Sequence, residues 1–388
     1  MRNQVIHALF WLLRQEVCGV EIGDETKNLI TTEMLSVLYQ VSKEHDLAHL
    51  VADSLDQNGL LDDSDVAKKF RSERNMAIYR YEQINYELGE ICRIFEENEI
   101  EHIPLKGAVL RAYYPQPWMR TSCDIDILIK EENLDKAIKL LCDHLGYGKV
   151  HRGTHDVSVR SPSNVNLELH FSLLEDDRAN NASVILGSVW DRLQSGSNGY
   201  QKALQDDFFY YYHIAHMAKH IEFGGCGIKP FLDLWVLNER VPFDQEKRDA
   251  ILVEGGLKTL ADSAKKLAYV WFGEEAHTPL TQKLEEYILT GGVYGSAQNM
   301  VAAQAAKKGR GLKYILSRIW FPYDLLKLRY PRVEKCKLLI PYYQICRWMN
   351  FLFKGKKKTA LAEARETCKS SDEKTKNIQA MLQELGLQ

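Results

Sequence analysis

The 8 cysteines of this 388-residue chain form no Cys-x-x-Cys pair, which removes the spacing of a structural zinc site and the framework of a disulfide-stapled domain. No secretory leader is recognisable, so scattered thiols point to a reducing, cytoplasmic setting. Long apolar runs are missing: the stretch 5–13 carries His7 and is far too short to span a bilayer. Neither charge sign dominates, the net being -3, and that balance selects no partner. No internal repeat or low-complexity linker divides the chain. What remains is an ordinary globular composition, 45% hydrophobic, at a length that predicts two or three domains rather than one small core.

The most informative segment is Ser122-Cys123-Asp124-Ile125-Asp126-Ile127-Leu128-Ile129. Its alternation is that of a half-buried strand and puts both carboxylates on one face. Held about 6–7 Å apart along a strand, two like charges in an apolar segment repel and lose solvation unless a cation lies between them. A divalent metal supplies one. The other arrangement open to this pattern is an edge strand with both aspartates in water and Ile125, Ile127 and Ile129 in the core.

Upstream, Ile103-Pro104-Leu105-Lys106-Gly107-Ala108-Val109-Leu110 reads as a short strand, a glycine turn and the start of a helix. That arrangement suits phosphate, because Gly107 allows close approach to the backbone and a helix N-terminus offers N–H groups. Lys106 adds charge, although Lys-Gly also occurs in ordinary turns. Arg120, four residues before Asp124, is either a second cation for phosphate oxygens or a surface arginine. Downstream, Asn164-Val165-Asn166-Leu167-Glu168-Leu169-His170-Phe171 alternates again and makes Glu168 a third strand carboxylate. Helical spacing over 131–145 and a short strand over 156–160 give the order strand, helix, strand, helix, strand, strand.

Together, Lys106-Gly107, Arg120, Asp124-x-Asp126 and Glu168-Leu169-His170 resemble the catalytic core of nucleotidyltransferases of the DNA polymerase beta type. More narrowly, the chain resembles a bacterial group of poorly characterised nucleotidyltransferase-like proteins with a Leu-Lys-Gly turn and a His-rich helix after the core. The resemblance implies an α+β fold, a small mixed sheet flanked by N-terminal and C-terminal helical regions. It implies transfer of a nucleoside monophosphate from a nucleoside triphosphate to an acceptor, with release of pyrophosphate. Mg²⁺ or Mn²⁺ would be held by Asp124, Asp126 and Glu168, with Glu168 also a candidate general base. The triphosphate would meet Lys106, Gly107 and Arg120. Where better understood relatives carry a hydroxyl residue after the turn glycine, this chain has Ala108, leaving only backbone N–H groups there. Nothing selects among a small molecule, a sugar, a protein side chain and an RNA end as acceptor.

The flanks divide into a helical region over 1–98 before a core over 99–175, a helical region with the His-rich helix over 176–300, and a basic, aromatic helical region over 301–388. In the first, Ala77, Tyr81, Ile84, Leu88, Ile91 and Phe95 recur at helical spacing over 65–97 and read as core. Tyr79, Tyr81 and Tyr86 read as packing residues or, alternatively, as nucleobase contacts. In the second flank, His213, His216 and His220 share a helix face beside Lys219, without the acid of a His-Glu-x-x-His zinc helix. Glycines at 224, 225 and 227 predict a helical hairpin whose second helix carries Asp233 and Trp235. Asp233 there orients a histidine or serves as a base, and Lys219 or a protonated histidine meets phosphate. With His170, the residues His216, Lys219, His220 and Asp233 are the expected support of the site.

Two other functions stay open on these residues: a metal-dependent phosphohydrolase centred on the histidine helix, and a non-catalytic nucleotide-binding or sensing protein. Residues 307–358 hold fifteen Lys and Arg against Asp324 and Glu334, interleaved with aromatics and prolines. That fits a basic subdomain on an acidic body, contact with an anionic membrane or glycan surface, or nucleic acid. Ile378, Met381, Leu382 and Leu385 predict one terminal amphipathic helix.

Overall fold

The computed structural model describes residues 2–174, 181–195, 199–293, 295, 299–300, 323, 326, 337–345 and 372–387. The basic segment 307–358, and with it the expected anionic contact, lies outside the described residues apart from 323, 326 and 337–345. Five helices precede the first strand: α1 (Arg2–Leu13), α2 (Asp24–Leu29), α3 (Thr32–Glu44), α4 (Ala48–Gln57) and α5 (Asp65–Glu97). The 33 residues of α5 run for roughly 50 Å. The helix starts where the Ser64 side chain accepts from the Ala67 N–H at 3.3 Å. Its Phe70 packs into a core shared by the helices, and its Ile84, Ile91 and Phe95 pack into a second core under the sheet. One helix thus joins both cores. Tyr79 and Tyr86 lie outside this stripe, 63% and 71% exposed, so neither packs inside. Tyr81 is half-buried beneath the Arg111 guanidinium.

Glu16, in the π-helical turn Arg14–Cys18 after α1, is 7% exposed. Burial, a hydrogen bond with Asp53 and the charge of Asp53 push its pKa up to about 8. The folded state therefore holds a proton that the unfolded chain releases, and stability falls as pH rises from the ordinary carboxylate range to about 8. Glu16→Gln is expected to remove that slope. Urea midpoints at pH 5, 7 and 9 should separate progressively in favour of the variant, and parallel midpoints would sink the assignment.

The sheet comes next, with β1 (His102–Pro104), α6 (Gly107–Leu110), β2 (Asp124–Ile129), α7 (Leu134–Leu145), β3 (Gly148–Arg152), β4 (Asp156–Arg160) and β5 (Asn166–His170). The strand order is β1-β2-β5-β4-β3, parallel only between β2 and β5. The fold is α+β, a small mixed sheet flanked by helices. Strand β3 is absent from the order read in the sequence. Its residues Lys149, Val150, His151 and Arg152 are all exposed, so an edge strand without a buried face left no alternation to read. One face of the sheet carries Ile125, Ile127, Ile129, Val157, Val159, Leu167 and Leu169, packed with Leu134, Ala137 and Leu141 of α7. The other is polar along β2, β5 and β4.

Beyond the sheet follow α8 (Asn181–Gly187), α9 (Asp206–Glu222), α10 (Lys229–Arg240), α11 (Gln245–Glu254), α12 (Lys258–Phe272), α13 (Pro279–Leu289) and, near the end, α14 (Asp372–Glu384). The expected hairpin is α9 and α10, joined where Gly224 takes φ 120°. A Cβ at that position would stand 2.9 Å from the Met300 backbone nitrogen, so glycine is needed for both the turn and the close approach. Ile378, Met381, Leu382 and Leu385 are buried in the same core as Val5 and Leu9 of α1. None of the helices among the described residues is long and apolar enough to cross a membrane.

Candidate active site

Parallel pairing of β2 with β5 sets Asp126 beside Glu168 and Asp124 beside Asn166. Residues in register on neighbouring strands share a face, so two segments far apart in sequence bring their carboxylates together. Oxygens of Asp126 and Glu168 and a ring nitrogen of His170 lie within 4.8 Å of one another. His170 Nε2 is 2.8 Å from Asp126 Oδ1 and 3.7 Å from Glu168 Oε2. Lys106 Nζ donates to the same Asp126 oxygen at 3.0 Å. Asp126 and His170 are buried, while Glu168 is half-buried and accepts from Asn166 at 3.2 Å. Asp124 is half-buried on the same face, one strand step from this group and outside it.

The charges are unevenly satisfied. Burial would raise the pKa of Asp126, but Lys106 and the hydrogen bond from His170 outweigh it and hold the carboxyl below the usual range. Burial and the neighbouring Asp126 raise Asp124, and burial with both aspartates raises Glu168. One carboxylate is ionised and anchored, and two resist ionising beside it. Burial works against the Lys106 ammonium, yet Tyr212, Asp126 and Asp124 raise it above its ordinary value. The pocket is built around positive charge. Two carboxylates and an imidazole fit a divalent ion, the oxygens suiting Mg²⁺ and the imidazole favouring Mn²⁺ or a later metal.

The turn that delivers Lys106 is under strain. Lys106 has φ 45° and ψ -115°, a conformation that costs a side-chain-bearing residue about 1–3 kcal/mol. It is held between the Leu105 N–H, which donates to the Asp126 carbonyl at 3.0 Å, and the first turn of α6, where Leu110 N–H donates to the Lys106 carbonyl at 2.9 Å. Gly107 packs closely, since a Cβ there would lie 3.2 Å from Ser122 Cβ and would push Ser122 back by a few tenths of an ångström. The Ala108 N–H expected to face phosphate donates instead to the Leu105 carbonyl at 3.1 Å. Lys106 is turned to Asp126.

Helix α9 lies over the polar face. Lys106 hydrogen-bonds Tyr212, whose hydroxyl burial pushes up to about 12. His216 and His220 meet through Nε2 atoms 3.2 Å apart. Burial, Lys106 and His220 hold His216 well below the ordinary histidine value, and burial with Lys219 lowers His220 to about 4. Both rings are therefore neutral at pH 7. Burial and Lys106 also lower Lys219, while Glu168 and Asp156 oppose the shift. His213 turns away to the Pro230 carbonyl, 3.0 Å from Nε2, which splits the trio read in the sequence.

Arg120 and Asp233, expected to act separately, are partners. Arg120 Nε donates to Asp233 Oδ1 at 2.6 Å and Tyr114 Oη donates to the same oxygen at 2.7 Å, with Asp233 fully buried. Asp233 thus orients an arginine and a tyrosine rather than a histidine. Three residues at the site went unassigned in the sequence: Tyr212, His155 and Asp156. Tyr212 precedes His216 by one helical turn, a usable signal. His155 stacks on His170, with ring centroids 5.9 Å apart and planes at 21°, and Asp156 pairs with His170 across β4 and β5. Those contacts depend on strand register, which local patterning does not carry.

No curated protein and no solved structure matches the chain. A family described as uncharacterised nucleotidyltransferase matches over residues 33–273, from α3 through α12, and this span contains every site residue described above. With well over half of its length inside the match, the protein belongs to this family of uncharacterised nucleotidyltransferases.

Proposed function

We propose that the protein is a divalent-metal-dependent nucleotidyltransferase that moves a nucleoside monophosphate from a triphosphate to an acceptor. The reading is carried by the convergence of Asp126, Glu168 and His170 within 4.8 Å beside the Lys106 ammonium. These three residues would hold the metal, with Asp124 available one step along the strand. A bound divalent ion supplies charge neutralisation on the triphosphate and a more acidic attacking hydroxyl. An acceptor oxygen attacks the α-phosphorus, the bond from that phosphorus to the β-bridging oxygen breaks, and pyrophosphate leaves. Glu168, whose carboxylate is made more basic by burial and by both aspartates, takes the acceptor proton in its ionised form. Lys106 exchanges its Asp126 partner for a triphosphate oxygen.

The test uses two labels. The protein is incubated with Mn²⁺ or Mg²⁺, a cell extract as acceptor pool, and each triphosphate labelled at the α or the γ position. Label from the α position is expected on an acceptor, and label from the γ position only in pyrophosphate. Acceptor carrying γ label would mean phosphoryl rather than nucleotidyl transfer. Equal labelling in excess chelator would remove the metal from the account.

A further inference from the structure

We propose that the crevice between α5 and the segment entering β2 is an oxyanion site that binds a phosphate group through Arg111 and Arg80. Arg111 is 6% exposed. Its Nε donates to the Gly107 carbonyl at 2.8 Å, its Nη2 to Ser122 Oγ at 3.0 Å, and its guanidinium lies over the Tyr81 ring. Nη1 is buried without a hydrogen-bond partner among the described residues. A buried guanidinium ordinarily faces a carboxylate, yet among the described residues no acid pairs with this one. Burial and the nearby Arg120 depress its pKa.

The crevice onto which it opens is lined by three arginines, Arg80, Arg111 and Arg120, by the hydroxyl residues Thr121 and Ser122, and, among the described residues, by no acid. Arg120 is committed to Asp233. Arg80 is exposed and makes no ion pair or hydrogen bond among the described residues. The interior holds about one water-sized oxygen, so a ligand enters by an oxygen edge while the rest of it stays outside toward Arg80. A phosphate suits this layout, because its separate oxygens can be shared between the Arg111 and Arg80 guanidinium groups that line the crevice. Ser122 is two residues from Asp124, which places the anion beside the reaction centre. The phosphate belongs either to the triphosphate tail or to a phosphorylated acceptor. The oxyanion site deepens the transferase reading without needing it to hold.

Binding is measured by calorimetry on the full chain in EDTA, which removes metal-bridged binding and separates this test from that of the transferase reading. The probes are pyrophosphate, for the tail, and glycerol phosphate, for an acceptor phosphomonoester. Arg80→Ala is expected to weaken the bound probe roughly 3-fold and Arg111→Lys about 10-fold or more. An effect confined to pyrophosphate assigns the tail, and one confined to glycerol phosphate assigns the acceptor. Absence of binding by either probe, or affinities unchanged in both variants, would mean that the crevice holds only water. If Arg111→Lys fails to fold, the exposed Arg80→Ala decides alone.

Discussion

Asp126→Asn is expected to abolish Mn²⁺ binding, lower nucleotidyl transfer by on the order of 10²–10³-fold, and weaken the fold. Asp126 is the site carboxylate whose ionised form its neighbours favour most, with Lys106 at 3.0 Å and His170 at 2.8 Å on a single oxygen. An amide still accepts one of those hydrogen bonds but leaves the buried ammonium without its counter-charge, a loss of about 1–3 kcal/mol. The pH dependence has a definite sign. Asp126 has its pKa depressed in the folded state, so its contribution is present above the unfolded value of about 4 and disappears as pH falls through the folded one. Urea midpoints of wild type and variant should differ near neutral pH and converge below about pH 4.

Asp124→Asn gives the contrast that makes the result interpretable. Burial and Asp126 already disfavour the Asp124 charge, so removing it relieves repulsion and leaves stability unchanged or higher while weakening Mn²⁺ binding. Two aspartates on one strand face, two residues apart, are thus expected to respond in opposite directions in urea. Equal losses would overturn the assignment of Asp126 as the ionised anchor.

The alternation around Asp126 and Glu168 made both strands and their polar faces legible, because a strand with one buried face writes its period into the sequence. The parallel pairing that seats Glu168 against Asp126 was not written there, since register is set by tertiary packing. Lys106 and Arg120 show the same limit from the side of charge. Both read as cations facing a phosphate, and the structure pairs each with an aspartate, Asp126 and Asp233, that no local pattern connects to it. His170 read as support for the site and sits in direct contact with Asp126. In α5 the buried stripe was legible from its period, and the same period sets Tyr79 and Tyr86, two residues past Ala77 and Ile84, on the opposite, exposed face.

Asp233→Ala carries the largest expected cost in stability. Asp233 is fully buried, accepts from Tyr114 and Arg120 through one oxygen, and has no partner on the other among the described residues. Truncation strands the Arg120 guanidinium, whose side chain is only 13% exposed, and an uncompensated buried charge costs about 3–5 kcal/mol. The effect reaches the site through the chain: Arg120 is four residues before Asp124, and its Nη1 also donates to the Thr121 carbonyl at 2.6 Å. Arg120→Met on the Asp233→Ala background removes the stranded charge and should recover much of the loss. The cycle of single and double variants is then expected to show strong coupling in urea, about 2 kcal/mol or more. Triphosphate binding separates the two roles left to Arg120. If the arginine only braces the segment before β2, the stability-restored double variant binds triphosphate nearly as well as wild type. If it also meets a phosphate, binding stays weak after the fold has recovered, and Arg120 joins Lys106 among the proposed triphosphate contacts.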